Sequence, residues 1–237
     1  MIPRAHITAW RRNAPRSTDA QVERDLVLDL VQIESGAIGP VMTALRSRLD
    51  PWLGEPRRKQ SEGRMALICR FESEIPPVTP LRLKIEVNTR ERFAVLGFVG
   101  KTVAVANPWF EGTTRVIAYE LEELLGTKLR AFHQRKKGRD FHDLVKALTR
   151  CPDLDAGKVI RSFDDCMDVS GARVSRAEFE ANLAERLADP VLRADVEPLL
   201  ARGANTQVDC DAVRAAEAVH RSFISRISGE PWKGRGE

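Results

Sequence analysis

The 237-residue chain is short of several things that whole classes of protein need. Its four cysteines, Cys69, Cys151, Cys166 and Cys210, stand far apart, form no Cys-x-x-Cys and do not pair with the four histidines at metal-ligand spacing. Nothing here reads as a disulfide framework, and buried or free thiols in a reducing cytoplasm are expected. No apolar run approaches the roughly 18 residues of a membrane span. The stretch "MIPRAHITAWRRNAP" lacks a signal-peptide core, so a soluble cytoplasmic protein with no membrane partner is expected. One tyrosine and 6% aromatic residues leave few rings for stacking on bases. Excess charge is also scarce. Thirty-eight Lys+Arg against 34 Asp+Glu leave only +4, so any nucleic-acid affinity must come from local patches. Candidate patches are Arg11-Arg12, Arg57-Arg58-Lys59 and Arg135-Lys136-Lys137 with Arg139, each of which, taken alone, reads as a solvated loop.

What is present suits a globular fold of one large or two small domains, with 43% apolar and 30% charged residues. There is no internal repeat. "STDAQVERDL" has a capping box at Thr18 and Gln21, and Val22, Leu26 and Leu30 follow at helical spacing. The run "LVLDLVQI" (26–33) reads equally as a strand. "IGPVMTALRSRLDPWLG" predicts a helix with Val41, Ala44, Leu45 and Leu49 on one face, and residues 54–64 predict a loop. Strands are expected at 65–73 and 80–91, then in "FAVLGF" and "KTVAVAN" on either side of a Val-Gly-Lys turn, and in "TRVIAY". From Glu120 onward the pattern is helical, near 120–135, 140–150, 155–168, 176–188, 190–201 and 209–228, with Ser175 and Glu178 as a cap. The expected class is therefore α+β, with an α/β region over 1–118 and a helical domain over 119–237.

Two places combine chemistry-bearing residues. In "PLRLKIEVN", Leu81, Leu83, Ile85 and Val87 alternate with Arg82, Lys84, Glu86 and Asn88, so one strand face is apolar and the other polar. Either that polar face meets solvent, or Glu86 holds a divalent metal and Lys84 meets a phosphate in a cleft. In "LLGTKLRAFHQRKKGRDFHDL", Lys128 falls inside the stripe Leu121, Leu124, Leu125, Leu129 and Phe132. Its ammonium must snorkel outward or meet an anion, which a ligand phosphate or a protein carboxylate would supply. Asp140 and Asp143 suit the cap of a following helix, and the corner around Arg135, Lys136 and Arg139 suits a polyphosphate.

These segments, with the N-terminal "QVERDL" and the tail "VSRAEFEANLAERLADP", resemble the AbiEii/AbiGii nucleotidyltransferase-like toxin family. The resemblance implies a polymerase-β-like α+β fold, a reduced mixed sheet with flanking helices and then a helical bundle. It implies the toxin half of a toxin–antitoxin or abortive-infection (phage-defence) pair, with a winged-helix antitoxin as partner. Its activity would be transfer of a nucleotide from NTP to an RNA, tRNA-like, acceptor with Mg²⁺. By position, Glu86 would be the strand carboxylate and a metal ligand, with Lys84 in the same motif. Lys128 would meet the NTP phosphates, Arg135 and Arg139 would join it in binding nucleotide, and Asp140 and Asp143, the closing Arg-Asp motif, would buttress that lysine or the active site. Relatives carry a Gly-Gly or Gly-Ser loop and an Asp-x-Asp strand early in the chain. The corresponding stretch here, "QVERDLVLDLVQIESGAIGP", has neither. It keeps Asp29, with Val27 where the first aspartate belongs, as if a segment near residue 29 had been lost.

Three functions follow. One is a nucleotidyltransferase toxin using Asp29 and Glu86 for metal. Another is a non-catalytic remnant that binds nucleotide or antitoxin. The last is a plain basic RNA-binding protein, disfavoured by the shortage of aromatics. On the first two, Glu86, Lys128 and the Asp140/Asp143 corner are expected to share one hollow.

Overall fold

The computed structural model describes residues 6–8, 25–31, 36–74, 76–89, 93–107, 110–135, 137–190 and 212–234. It divides into two compact units, Met1–Ala94 with Phe98–Tyr119, and Val95–Gly97 with Glu120–Glu237. The architecture is α+β, in agreement with the class expected from the strand-then-helix pattern.

The first unit holds β1 (His6–Thr8), β2 (Asp25–Val31), α1 (Gly39–Leu53), β3 (Arg57–Ser61), β4 (Arg64–Glu72), β5 (Pro80–Asn88), β6 (Phe98–Asn107) and β7 (Phe110–Tyr119). Strands one to five form a sheet in the order β1-β2-β5-β4-β3, and β6 pairs with β7 as a separate ribbon. Strand β2 runs parallel to β5, whereas β4 is antiparallel to both β5 and β3. The alternation of β5 has its expected consequence: Leu83, Ile85 and Val87 are buried. Helix α1 lays Met42, Leu45 and Leu49 over them together with Leu67 and Cys69. Burial pushes the Cys69 thiol above its ordinary range, aided by the Asp50 charge.

One open choice closes and two local expectations change. The apolar run at 26–31 is strand, because pairing with β5 satisfies its main chain, and the helical alternative fails there; residues 18–24 lie outside the described residues. The supposed loop 54–64 contains β3, whose five side chains are all exposed. With nothing to bury, it has no apolar period to read, and it is held by its ladder to β4. The Val-Gly-Lys turn is the interior of β6, one strand from Phe98 to Asn107. The Arg115 guanidinium lies across Gly100, the movable end of a long side chain, and the glycine sits within the ladder to β7 rather than in a turn.

The second unit comprises α2 (Leu121–Gln134), α3 (Gly138–Arg150), α4 (Ala156–Val169), α5 (Arg176–Ala188), α6 (Ala212–Ser222) and a 3-10 turn at Ile224–Arg226. The expected helix at 190–201 falls outside the described residues apart from Pro190 at its start. The Ser175–Glu178 capping box is present in full. Phe132, Phe141, Phe163, Phe179 and Phe223 are fully buried here, so five of the nine phenylalanines build this core and are closed to bases. Helices α2 and α4 approach closely at Gly126, where a Cβ would stand 2.8 Å from the Phe163 nitrogen and 2.9 Å from the Val159 oxygen.

Candidate active site

The predicted site residues fall into two groups, one in each unit, and each group is described by itself. In the first unit, Lys84 and Glu86 sit two apart on β5. Lys84 Nζ donates to Glu86 Oε2 at 2.6 Å, and Arg64 Nη1 reaches Glu86 Oε1 at 3.4 Å. The Glu86 side chain is 17% exposed, half-sunk between sheet and solvent. The register of β2 on β5 places Asp29 beside Glu86, Val27 beside Lys84 and Asp25 beside Arg82. Paired positions of neighbouring strands belong to one face of a pleated sheet. Asp29 and Glu86, 57 positions apart in the chain, are thus cross-strand neighbours.

At the Gly63 end of the sheet a hollow of about 390 Å³ is lined by Ile38 and Met65 from the α1-covered side and by Gln60, Ser61, Glu62, Gly63, Arg64 and Thr89. Thr89 follows the carboxyl end of β5, and Ile38 is the N-cap residue of α1. The carboxyl ends of parallel strands next to a helix N-terminus are where α/β sheets commonly take ligands, because unpaired helix N–H groups point there.

In the second unit Lys128 meets a protein anion. Its Nζ lies 3.1 Å from Asp140 Oδ1 and 3.0 Å from Asp143 Oδ2, the second an ion pair rather than an aligned hydrogen bond. Arg135 adds Nε to Asp140 Oδ2 at 3.0 Å and Nη2 to Asp140 Oδ1 at 3.3 Å. Asp140 has no exposed surface, and Lys128 is 11% exposed at its side chain. Two cations and two carboxylates balance. The expected capping role is overturned: the N-cap of α3 is Lys137, with no side-chain cap bond, and Asp140 sits in the first turn aimed at Lys128 and Arg135 instead. Ion pairing to two cations outcompetes a cap for a buried carboxylate. Lys136 and the Arg139 side chain lie outside the described residues.

Two residues of this unit escaped the reading of the chain. Arg186, buried at 3% exposure, sends its guanidinium to the main-chain oxygens of Phe132, His133 and Arg135, closing the C-terminal carbonyls of α2. Burial pulls its pKa below the ordinary value, against the Glu185 and Asp140 charges. A signal was available: Phe179, Leu183 and Arg186 share a helical stripe, the same anomaly that singled out Lys128. Glu123, 2% exposed, accepts from the Val95 and Leu96 amides at 2.8 Å each. Burial raises its pKa, and those two N–H groups work against the rise.

A family model described as "Nucleotidyl transferase AbiEii toxin, Type IV TA system" matches residues 24–219. The chain belongs to this AbiEii family. It is accordingly a nucleotidyltransferase-like toxin of a type IV toxin–antitoxin system, and an antitoxin is its implied partner. No curated protein and no solved structure matches the chain. Among the described residues, no helix is long and apolar enough to cross a membrane.

The AbiEii assignment raises the question of a metal. Among the described residues no three His, Cys, Asp or Glu side chains gather as a metal group. Asp-x-Asp triplets do occur elsewhere in this AbiEii chain, as Asp153-Leu154-Asp155 and Asp209-Cys210-Asp211. The first lies between α3 and α4, where Asp155 Oδ1 accepts from the Gly157 and Lys158 amides as the N-cap, so that aspartate serves a helix end. The second lies outside the described residues. The donor set at β2 and β5, one aspartate position beside one glutamate, fits a single Mg²⁺, which takes one or two carboxylates and fills its other positions with water and phosphate. It does not fit a two-metal site built on three carboxylates.

Proposed function

We propose that this AbiEii toxin transfers a nucleotide from an NTP to an RNA acceptor, tRNA-like in form, on the face of β2 and β5 that carries Asp29, Lys84 and Glu86. The observation that carries the reading is the register of Asp29 on Glu86. The nearby hollow is within the size range of small-molecule sites, about 300–1,000 Å³. Glu86 and Asp29 would hold the metal, whose charge, when bound, offsets that of the triphosphate. Lys84, tethered to Glu86 at 2.6 Å, stands ready to turn its ammonium to a phosphate oxygen. Arg64, at the edge of both the hollow and the carboxylate, offers a second cation. Phosphoryl transfer asks mainly for such positioned charge. In the second unit taken by itself, Lys128 and Arg135 would form a separate phosphate-binding corner, with Asp140 and Asp143 holding Lys128 in place. The implied partner is a winged-helix antitoxin.

The test is incorporation of labelled nucleotide into a tRNA pool with each of the four NTPs and Mg²⁺. The expected result is transfer lost in Glu86→Ala and Asp29→Ala. Wild type that transfers nothing under any of these conditions ends the catalytic claim.

A second reading, binding without turnover, has its own observation. Glu86 is already engaged by two cations and Lys128 by two carboxylates. In that case NTP or antitoxin binding is measurable by calorimetry while no nucleotide is transferred.

A further inference from the structure

The strand ladders place more on the Glu86 face than the three residues above. Register carries Lys84 across to Ile68, Glu86 to Ala66, Asn88 to Arg64 and Arg82 to Arg70 on β4, then Ile68 to Arg57 and Ala66 to Lys59 on β3. Cross-strand partners share a face, so Arg57, Lys59, Arg64, Arg70, Arg82 and Lys84 lie on one side of the sheet. The helix α1 packs on the other side, against Leu67, Leu83 and Ile85. Charge is sorted across this face. Asp25, Asp29 and Glu86 sit on the β2–β5 side, and cations dominate the β4–β3 side, with Glu72 at the end of β4. Arg57, Lys59 and Arg70 are exposed and make no ion pair among the described residues. Residues two apart on a strand are about 7 Å apart, and neighbouring strands about 4.8 Å. The wing is therefore a cationic lattice leading from the sheet edge to the carboxylates. No aromatic residue of β3, β4 or β5 is on it, since Phe71 pairs with Leu81 on the covered face.

We infer that the β3–β4 wing, Arg57, Lys59, Arg64 and Arg70, is the docking surface for the backbone of the RNA acceptor. This rests on the transfer reading above and adds where the acceptor lies and how it is held. Phosphates pair with the arginines and lysines, and the bases face away from a surface that has no ring to stack them. The grip is therefore indifferent to sequence and steep in salt.

The test is fluorescence anisotropy of a labelled oligouridylate and of a labelled tRNA from about 50 to 200 mM salt. In Arg57→Glu/Lys59→Glu the affinity falls at least about fivefold, and the slope of log affinity on log salt shrinks by about 1.4, two phosphate contacts at about 0.7 each. The control is Arg58→Glu, exposed on the same strand but on the opposite face, which leaves binding within about twofold although its charge also reverses. Both variants change exposed side chains only, and an unchanged melting temperature verifies that they fold. Equal losses in both variants reduce the effect to net charge and overturn the proposal, as does no loss in either. Loss of antitoxin capture with RNA binding intact makes the wing a protein interface and overturns it too. Face-dependent RNA binding without nucleotide transfer leaves the docking surface standing and removes the transfer reading alone.

Discussion

Lys128 Nζ and Asp140 Oδ1 stand 3.1 Å apart with the carboxylate wholly enclosed. A lysine inside an apolar stripe is thus neutralised by the chain itself. Asp140→Ala leaves Lys128 short of its enclosed partner and costs about 3–5 kcal/mol, the usual penalty for breaking a buried pair. Lys128→Met/Asp140→Leu recovers only part of that loss, because two apolar side chains replace one compensated pair while Asp143 and Arg135 lose their partners. Urea denaturation of the single and double variants measures both; a double variant as unstable as Asp140→Ala would show that the pair is not the source of the cost.

Gly126→Ala raises helix propensity by about 1 kcal/mol. It nevertheless destabilises, because the new Cβ meets backbone atoms of α4 at 2.8–2.9 Å and backbone cannot give way cheaply. A net loss of about 1–3 kcal/mol is expected, in line with overpacking elsewhere. A higher melting temperature for this variant would refute the close contact.

Arg186→Lys and Arg186→Met both unfold more readily than wild type, by about 2–4 kcal/mol, since three carbonyls of α2 lose a donor that a point charge cannot replace. Lysine rescuing full stability would mean that charge, not the planar fork, is what this corner needs.

Val27→Asp rebuilds an Asp-x-Asp on β2 with the new carboxylate at the position beside Lys84. If β2 and β5 carry the transfer chemistry, Mg²⁺-dependent incorporation rises at least about tenfold, a modest share of what a positioned charge is worth in such sites. Nucleotide transfer unaffected by the substitution would separate β2 from the chemistry.

Acid should lower the stability of the protein over two pH ranges. Burial first, then the Arg186 charge, lowers the His133 pKa below 6.5, with Glu178 opposing. A neutral histidine is therefore favoured in the native state. Its contribution is full above 6.5 and declines as pH falls through that value. For Glu180, burial acts to raise the pKa, but hydrogen bonds from Arg176, His220 and the Trp232 amide overcome it and hold the carboxyl at about 2. Its contribution is complete above 4.5 and is lost as pH falls towards 2. Unfolding free energy measured against pH should lose the upper decline in His133→Phe and the lower decline in Glu180→Gln.

The chain alone determined what period and composition can encode. The alternation Leu81–Asn88 specified a strand with one buried and one polar face, and the stripe of α2 specified a buried helix face. The Ser175–Glu178 cap and the anomaly of Lys128 were equally legible, because each is a matter of neighbours within one turn or two. Tertiary structure decided the rest. It made 25–31 a strand, since only pairing with β5 could choose between two conformations of one apolar run. It made Arg57–Ser61 an edge strand, which no period announces when no side chain is buried. It chose for Asp140 the role of counterion to Lys128 over that of a cap, and brought Asp29 beside Glu86. Pairings across 12 and 57 positions depend on how the chain returns on itself, and local sequence carries no record of that return.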